Sequence, residues 1–326
     1  MASELTDIDI ALRDGDHSAF DTVVERHRRE LQVHCYRMLG SLQDAEDMVQ
    51  ESFLRAWANR TAYEGRSSFR AWLYRIATNA CLDLIRRRQR VVSFDPQGDA
   101  PAEVGWLQPF PDAMLPGPDD PAAATVARET IELAYITAIQ HLPPRQRAVL
   151  ILRDAIGWSA KETADLLEMS VAAVNSALQR GRATLGERAR SREERTTSWQ
   201  PSAEERRLLA HFMEATERAD MTAMAALLKE DAVFWMPPDP GVFVGRKLII
   251  ESWTPFLTGP ARIGDFKMVP TRCNNQLAAA NYLRAPGEGD YARLSLDVLR
   301  IEDGAIAEIV TFPASVFDDF GLPDRL

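Results

Sequence analysis

The chain has 326 residues, of which 46% are hydrophobic and 26% charged, and its formal net charge is −10. That length accommodates two or three domains with separate cores, and since no run approaches the roughly 18 apolar residues of a bilayer span, a membrane helix is excluded. The start, MASELTDIDIALRDGD, has neither a basic leader nor an apolar core, so no secretory signal is expected and the cytoplasm is the expected location. Cys35, Cys81 and Cys273 lie far apart, without CxxC or Cys/His ligand spacing. This argues against a disulfide framework and a structural zinc site; no metal or cofactor is expected, and each cysteine reads as a small buried hydrophobe.

Residues 18–90 read as a run of amphipathic helices, an all-α domain taken as residues 1–90. Within it the stretch SSFRAWLYRIATNACLDLIRRRQR places Phe69, Leu73, Ile76, Ala80 and Leu84 on one face at helical spacing, a core stripe. The same winding gathers Arg75, Asn79 and Arg86 on one flank, with Trp72 at the border. Between Arg66 and Arg90 there are seven arginines and one acid, Asp83. A local charge of +6 in an acidic chain points to an anionic partner, although a solvated basic face would look the same.

Residues 91–125 form an acidic linker: seven prolines fall between Val91 and Ala124, too many for a long regular element. Its Trp106, Leu107 and Phe110 leave open whether it lies in a groove or is a loose tether. From Val91 to Thr130 there are seven acids against Arg128 alone, and from Thr196 onward 13 basic against 19 acidic residues. These two segments each carry −6, so the helical remainder is +2, with its basic residues clustered. Local field rather than total charge decides where a polyanion docks.

Helical periodicity returns over residues 126–195. Ser159 and Glu162 form a capping box that opens a short helix through Leu167. Glu168-Met169-Ser170 then turn the chain, and Ser170 caps the next helix. On that helix Val174, Leu178, Gly181 and Leu185 face inward, while Ala172, Asn175, Ser176, Gln179 and Ala183 face outward, flanked by Arg180 and Arg182. This is helix-turn-helix spacing. Asn and Gln suit base edges in a major groove and arginines suit phosphates, though an ordinary helical hairpin has the same periodicity.

Residues 196–326 differ in kind. Two helices, near 203–219 and 222–229, precede the strand-like runs AVFWM, GVFVG, FKMVPTRC, QLAAANYLR, ARLSLDVLRIE and AIAEIVTF. Ser202 and Glu205 cap the first helix, and Leu294, Leu296, Val298 and Leu299 suggest half-buried strands. Helices followed by a mostly antiparallel sheet make an α+β domain.

Three of these segments carry a resemblance. DAEDMVQESFLRAW, FRAWLYRIATNACLDLIRRRQR and the run from Leu142 to Leu185 look like regions 2 and 4 of the extracytoplasmic-function branch of the sigma-70 family. The tail resembles the SnoaL-like, NTF2-like cone domain, as in sigma factors of the actinobacterial sigma-J and sigma-G type; GWLQPFPD in the linker is closer to the latter. The resemblance implies a multidomain fold, with a helical region 2 bundle, a region 4 helix-turn-helix and the cone domain. It implies core RNA polymerase and promoter DNA as partners, and no enzymatic activity. Asp44, Glu46, Asp47, Gln50, Glu51 and Phe53 match the family's polymerase-gripping helix. Arg75 and Asn79 match the segment that opens the −10 element, Trp72 reads equally as part of that segment or as a core residue of the domain, and Arg86, Arg87, Arg88 and Arg90 fall on phosphates. Asn175, Ser176, Gln179, Arg180 and Arg182 match the −35 reader, but Asn175-Ser176-Ala177 stand where Lys-Ser-Arg is commoner, which changes the sequence read. The linker is expected to imitate a polyanion in the polymerase's RNA-exit path.

The cone domain raises a second reading, a small-molecule enzyme fused to a DNA-binding module. Epoxide-hydrolase relatives use Arg-x-Asp on a strand, where this chain has Arg293-Leu294-Ser295, and Asp297 two residues on. Asp297, Tyr282 and Tyr291 are the candidates for isomerase-like chemistry, and Trp235, Phe243 and Trp253 for an apolar pocket that would hold a small-molecule ligand. A repressor acting without polymerase is a third reading.

Overall fold

Ser41 begins the helix Leu42–Ala58 because its hydroxyl accepts the Asp44 N–H, satisfying one of the donors a helix start leaves unpaired. In this computed structural model the described residues are 16–63, 68–88, 104–116, 131–190, 200–239, 241–259 and 261–326. They form two compact units, one drawn from Met1–Ser93 and Met114–Thr196, the other from Phe94–Ala113 and Thr197–Leu326.

The first unit is helical. Helices α1 (His17–Leu39), α2 (Leu42–Ala58) and α3 (Phe69–Arg88) pack around Leu31, Cys35, Tyr36, Leu73, Ala77 and Cys81, all fully buried. The α3 stripe is wider than the spacing predicts. Phe69, Leu73 and Ala80 are buried as expected, but Tyr74, Thr78, Cys81 and Ile85 join them, while Ile76 and Leu84 are only half-buried. The reason is that α3 touches elements on more than one side: α1, α2 and two helices of the second helical segment. That segment comprises α4 (Leu133–Gln140), α5 (Pro144–Leu150), a π-helical turn over Ile151–Ala155, α6 (Ala160–Leu167) and α7 (Val171–Arg190), the last kinked at Gly186.

In the second unit, α8 (Ala203–Glu217) and α9 (Met221–Leu227) precede β1 (Leu228–Trp235) and β2 (Val242–Val244). Helix α10 (Arg246–Leu257) follows, and then β3 (Asp265–Cys273), β4 (Gln276–Arg284), β5 (Ala292–Glu302) and β6 (Ala305–Pro313). The order in the sheet is β2-β1-β6-β5-β4-β3; β1 and β6 run parallel and the other neighbours antiparallel. All six predicted strands are present. Helix α10 is an addition; its Ile249, Ile250, Trp253 and Leu257 recur at helical spacing, but β-branched and aromatic residues and Pro255 within it blur the local signal.

Register separates the two faces of the sheet. The inner face, beneath α8, α9 and α10, carries Phe234, Met268, Ala279, Leu299 and Ile309, packed with Leu208, Phe212, Met224 and Ile249. The outer face carries Trp235, Tyr282, Leu296, Val298, Val310 and Phe312, all buried as well. Strand β5 is thus buried on both faces rather than half-buried. A 3₁₀ turn over Ala314–Phe320 packs against β5, and Phe317 meets the Tyr282 ring edge-on at 5.4 Å.

Part of the linker belongs to this second unit. Phe110 and Asn274 bond reciprocally: the Phe110 N–H donates to Asn274 Oδ1 (2.7 Å), and the Asn274 N–H donates to the Phe110 carbonyl (2.8 Å). Asp112 accepts from Arg272 Nε at 3.0 Å and from the Asn275 N–H at 2.8 Å, Pro111 pairs with Cys273, and Gly105 lies against the Pro238 backbone. Val104, Leu107 and Phe110 are buried. The segment therefore links the loop after β1, at Pro238, to the β3–β4 hairpin. The rest of the predicted linker lies outside the described residues.

Candidate nucleic-acid interface

Helix α3 presents Arg75, Asn79, Arg86 and Arg87 to solvent. Trp72 is half-buried in an aromatic cluster, its ring 5.2 Å from Tyr63 and 5.5 Å from Phe69. Arg86 pairs with Asp83 one turn earlier (2.7 Å), an exposed contact worth little in water. Arg88 is held at 2.7 Å by Asp44, and Arg90 lies outside the described residues. The +6 of this stretch is thus partly neutralised in place, leaving Arg75, Asn79, Arg86 and Arg87 as the accessible strip.

On α2, the polymerase-contact set divides. Asp47 and Gln50 are exposed, Glu51 pairs with Arg55 at 2.7 Å, and Glu46 accepts from Gln32. Asp44 is buried at 5% exposure and committed to Arg88 and the α2 start, and Phe53 is buried beneath Arg28, whose guanidinium carbon lies 5.2 Å from the ring centre. The exposed apolar residue on this helix is instead Leu54, 67% exposed. It sits one and two turns beyond Gln50 and Asp47, so the three share a face; an apolar residue on an acidic solvent face was the missed signal.

The helix-turn-helix is built as its sequence implies. Ser159 and Glu162 make the reciprocal box, the Glu162 N–H to Ser159 Oγ at 3.1 Å and the Ser159 N–H to Glu162 Oε2 at 2.7 Å; these bonds hold the Glu162 carboxyl below its usual range. Glu168 takes a left-handed backbone (φ 54°) to end α6, and Ser170 Oγ accepts the Ala173 N–H to start α7. Val174, Leu178 and Leu185 are buried, and Gly181 leaves room for Leu150, whose methyl would sit 3.4 Å from an added Cβ. Ala172, Asn175, Ser176, Gln179, Arg180 and Ala183 are exposed. Arg182 is tied to Asp154 by two bonds, 2.9 and 2.6 Å, so it braces α7 against the π turn.

Within this first unit the two helical segments are docked. Arg147, 3% exposed, donates to the carbonyls of Met38, Gln140 and Leu142 and to Gln140 Oε1, and Gln140 Nε2 donates to the Arg37 carbonyl at 3.0 Å. A buried guanidinium is tolerated here because the C-terminal carbonyls of α1 and α4 converge on it. Tyr74 and Trp158 rings lie 5.2 Å apart. Arg75, at the centre of the α3 strip, is ion-paired with Glu168 at the turn of the helix-turn-helix.

In the C-terminal unit the six pocket candidates do not converge. Phe243, Trp253 and Asp297 belong to the inner face; Phe234 packs its ring against Phe243 (5.6 Å) and Trp253 (5.1 Å). Trp235 and Tyr282 point to the outer face, the first donating to Glu308 Oε1 at 2.9 Å and the second to the Pro323 carbonyl at 2.9 Å. Tyr291 pairs its backbone with Leu326 and lies under Arg284. Arg293 is on the outer face, bonded to Asp318 and Asp324 at 2.8 Å each. The isomerase-like trio is therefore split: Asp297 and Tyr282 lie on opposite faces of the paired strands β5 and β4, and Tyr291 precedes β5, beneath Arg284.

Family comparisons agree with this division. Residues 23–91 match Sigma-70 region 2, residues 132–185 match Sigma-70 region 4, and residues 209–309 match the SnoaL-like domain. The chain is 40% identical over 333 residues to the ECF RNA polymerase sigma factor SigG of Mycobacterium tuberculosis, covering 96% of this chain and 86% of the relative. The chain belongs to the extracytoplasmic-function sigma factors. Like them it directs RNA polymerase to promoters. The SigW factor of Bacillus subtilis is 31% identical over 180 residues, covering 55% of this chain and 93% of its own. The crystal structure of the Mycobacterium tuberculosis sigma factor SigJ shares the fold, with a TM-score of 0.61 at 22% identity, over 93% of this chain and 99% of that one. Among the described residues of this sigma factor no helix is long and apolar enough to cross a membrane, and no group of His, Cys, Asp and Glu is disposed to hold a metal ion.

Proposed function

We propose that this sigma factor acts without chemical turnover, and that its C-terminal domain adjusts initiation by holding the linker. Asp47, Gln50, Glu51 and Leu54 form the contact to core polymerase. Arg75 and Asn79, beside the Trp72 cluster, engage the opened −10 strand, where aromatic and amide groups offset unstacking; Arg86, Arg87 and Arg88 meet phosphates. Asn175, Ser176 and Gln179 read the −35 element and Arg180 its backbone. For Arg75 to reach DNA its exposed ion pair with Glu168 must open.

The reciprocal Phe110–Asn274 bonds carry the regulatory part of this reading. The chain between α3 and α4 must span whatever separation the promoter demands, and a segment fastened to the tail shortens the free length on either side. Run-off transcription with bacterial core polymerase tests it, comparing the full chain with a version ending near Ser198 and with Asp112→Ala. Both alterations are expected to change transcript yield in the same direction. Unchanged yield in both overturns the regulatory reading, and a footprint without polymerase would favour a repressor.

A further inference from the structure

The inner face of the sheet carries a group of polar side chains at one place. Asn281 on β4, Ser295 and Asp297 on β5 and Thr311 on β6 are register partners and form two neighbouring hydrogen-bonded pairs. Asn281 Nδ2 donates to Ser295 Oγ at 3.0 Å, and the Thr311 hydroxyl donates to Asp297 Oδ1 at 2.6 Å. With Nδ2 as the donor to Ser295, Oδ1 is the remaining hydrogen-bonding atom of the amide. Asn281 Oδ1 then points away, buried and with no hydrogen-bond partner, in a residue only 4% exposed.

Four polar side chains in an apolar layer add nothing that a strand needs for packing, and buried acceptors are almost always paired. Asn281 Oδ1 is a standing acceptor. Ser295 Oγ, already accepting from Asn281, keeps its own hydrogen to donate, and both Ser295 and Thr311 are half-buried, the accessible edge of the group. Met268 is the register partner of Asn281, and the same face carries the aromatic cluster of Phe234, Phe243 and Trp253. Burial pushes the Asp297 carboxyl upward, against the bond from Thr311. No basic residue of β5 faces the group to compensate a negative charge on a ligand. Arg293 and Arg300, the basic residues of β5, lie on the outer face, paired with Asp318, Asp324, Glu302 and Glu308.

We propose that this inner-face group is a binding site for a neutral small molecule with an apolar or aromatic body and a carboxamide or lactam end, its N–H donated to Asn281 Oδ1 and its carbonyl accepting from Ser295. The site deepens the regulatory reading of the tail, since its occupant is the signal to which the linker-holding domain responds. It does not depend on that reading for its test, because binding is measured without transcription.

Benzamide is the probe, with benzoate as its anionic isostere and acetophenone as the analogue lacking a donor, each titrated into the full chain by ligand-observed saturation-transfer NMR. Benzamide is expected to bind at least about tenfold more tightly than either, roughly the difference that one unpaired buried polar group makes. Asn281→Leu is expected to abolish that preference. Ser295→Ala, the milder change, is expected to weaken benzamide about threefold to tenfold with acetophenone reduced alongside, since both offer a carbonyl to the lost hydroxyl. Equal binding of the three compounds, no binding of benzamide, or a Ser295→Ala protein that melts like the parent and keeps full benzamide affinity overturns the proposal. If benzamide binds as expected while tail truncation leaves transcript yield unchanged, the site stands and the regulatory reading falls.

Discussion

Acidification should loosen the helical unit through a single histidine. His34 is completely buried between α1 and α3, its Nε2 2.8 Å from Thr78 Oγ1. Thr78 gives its own hydrogen to the Tyr74 carbonyl, so it can only accept, and the His34 proton must sit on Nε2. Nδ1 is buried with no partner; a second proton there would be an unsatisfied donor on an uncompensated charge. Burial first, and then the charges of Arg37 and Arg70, pull the His34 pKa from 6.5 down to about 3. A group whose folded pKa lies below its unfolded value supports the fold fully above pH 6.5, and that support is lost as the pH falls from there through about 3. At about 1.4 kcal/mol per tenfold change in acidity, the whole interval is worth roughly 5 kcal/mol, and the part between pH 6.5 and 5 about 2 kcal/mol. Glu30 and other carboxylates add slopes of their own, so the informative quantity is the difference between the parent and His34→Gln, whose amide keeps a donor toward Thr78. Native-state hydrogen exchange of the α1 and α3 amides in the full chain, corrected for intrinsic rates, should show the parent losing about 2 kcal/mol more than the variant between pH 6.5 and 5. Identical slopes would refute the assignment of a neutral, proton-refusing His34.

Three further outcomes are expected. Ser159→Ala removes half of the capping box and should destabilise α6 by about 1 kcal/mol, seen as roughly fivefold faster exchange of the Glu162 and Thr163 amides. Asp112→Ala loses the bonds to Arg272 and the Asn275 N–H; limited proteolysis between residues 104 and 113 should accelerate about tenfold, with α8 to β6 still resistant. Leu54→Asp, at a site with no core role, should leave the melting temperature nearly unchanged, within about 0.5 kcal/mol, yet abolish co-elution with core polymerase; retained association would remove Leu54 from the contact.

The local signals in the sequence were legible because they act within a turn or two of chain. Capping boxes at Ser159 and Ser202, the turn at Glu168-Met169-Ser170, the inward spacing of Val174, Leu178 and Leu185, and the positions of the six strands each depend on near neighbours, and each appears in the structure. Burial of Asp44 and Phe53 was not legible, since it depends on Arg88 and Arg28 arriving from other helices. Nor was the splitting of Asp297 from Tyr282 and Tyr291: strand parity is readable, but a bulge between Asn281 and Tyr282 and the pairing partners are set by the sheet. The aromatic residues of GWLQPFPD announced a buried surface without saying where. Only tertiary structure brought Phe110 to Asn274, 164 residues away, because a hydrogen bond between distant segments leaves no periodicity in either of them.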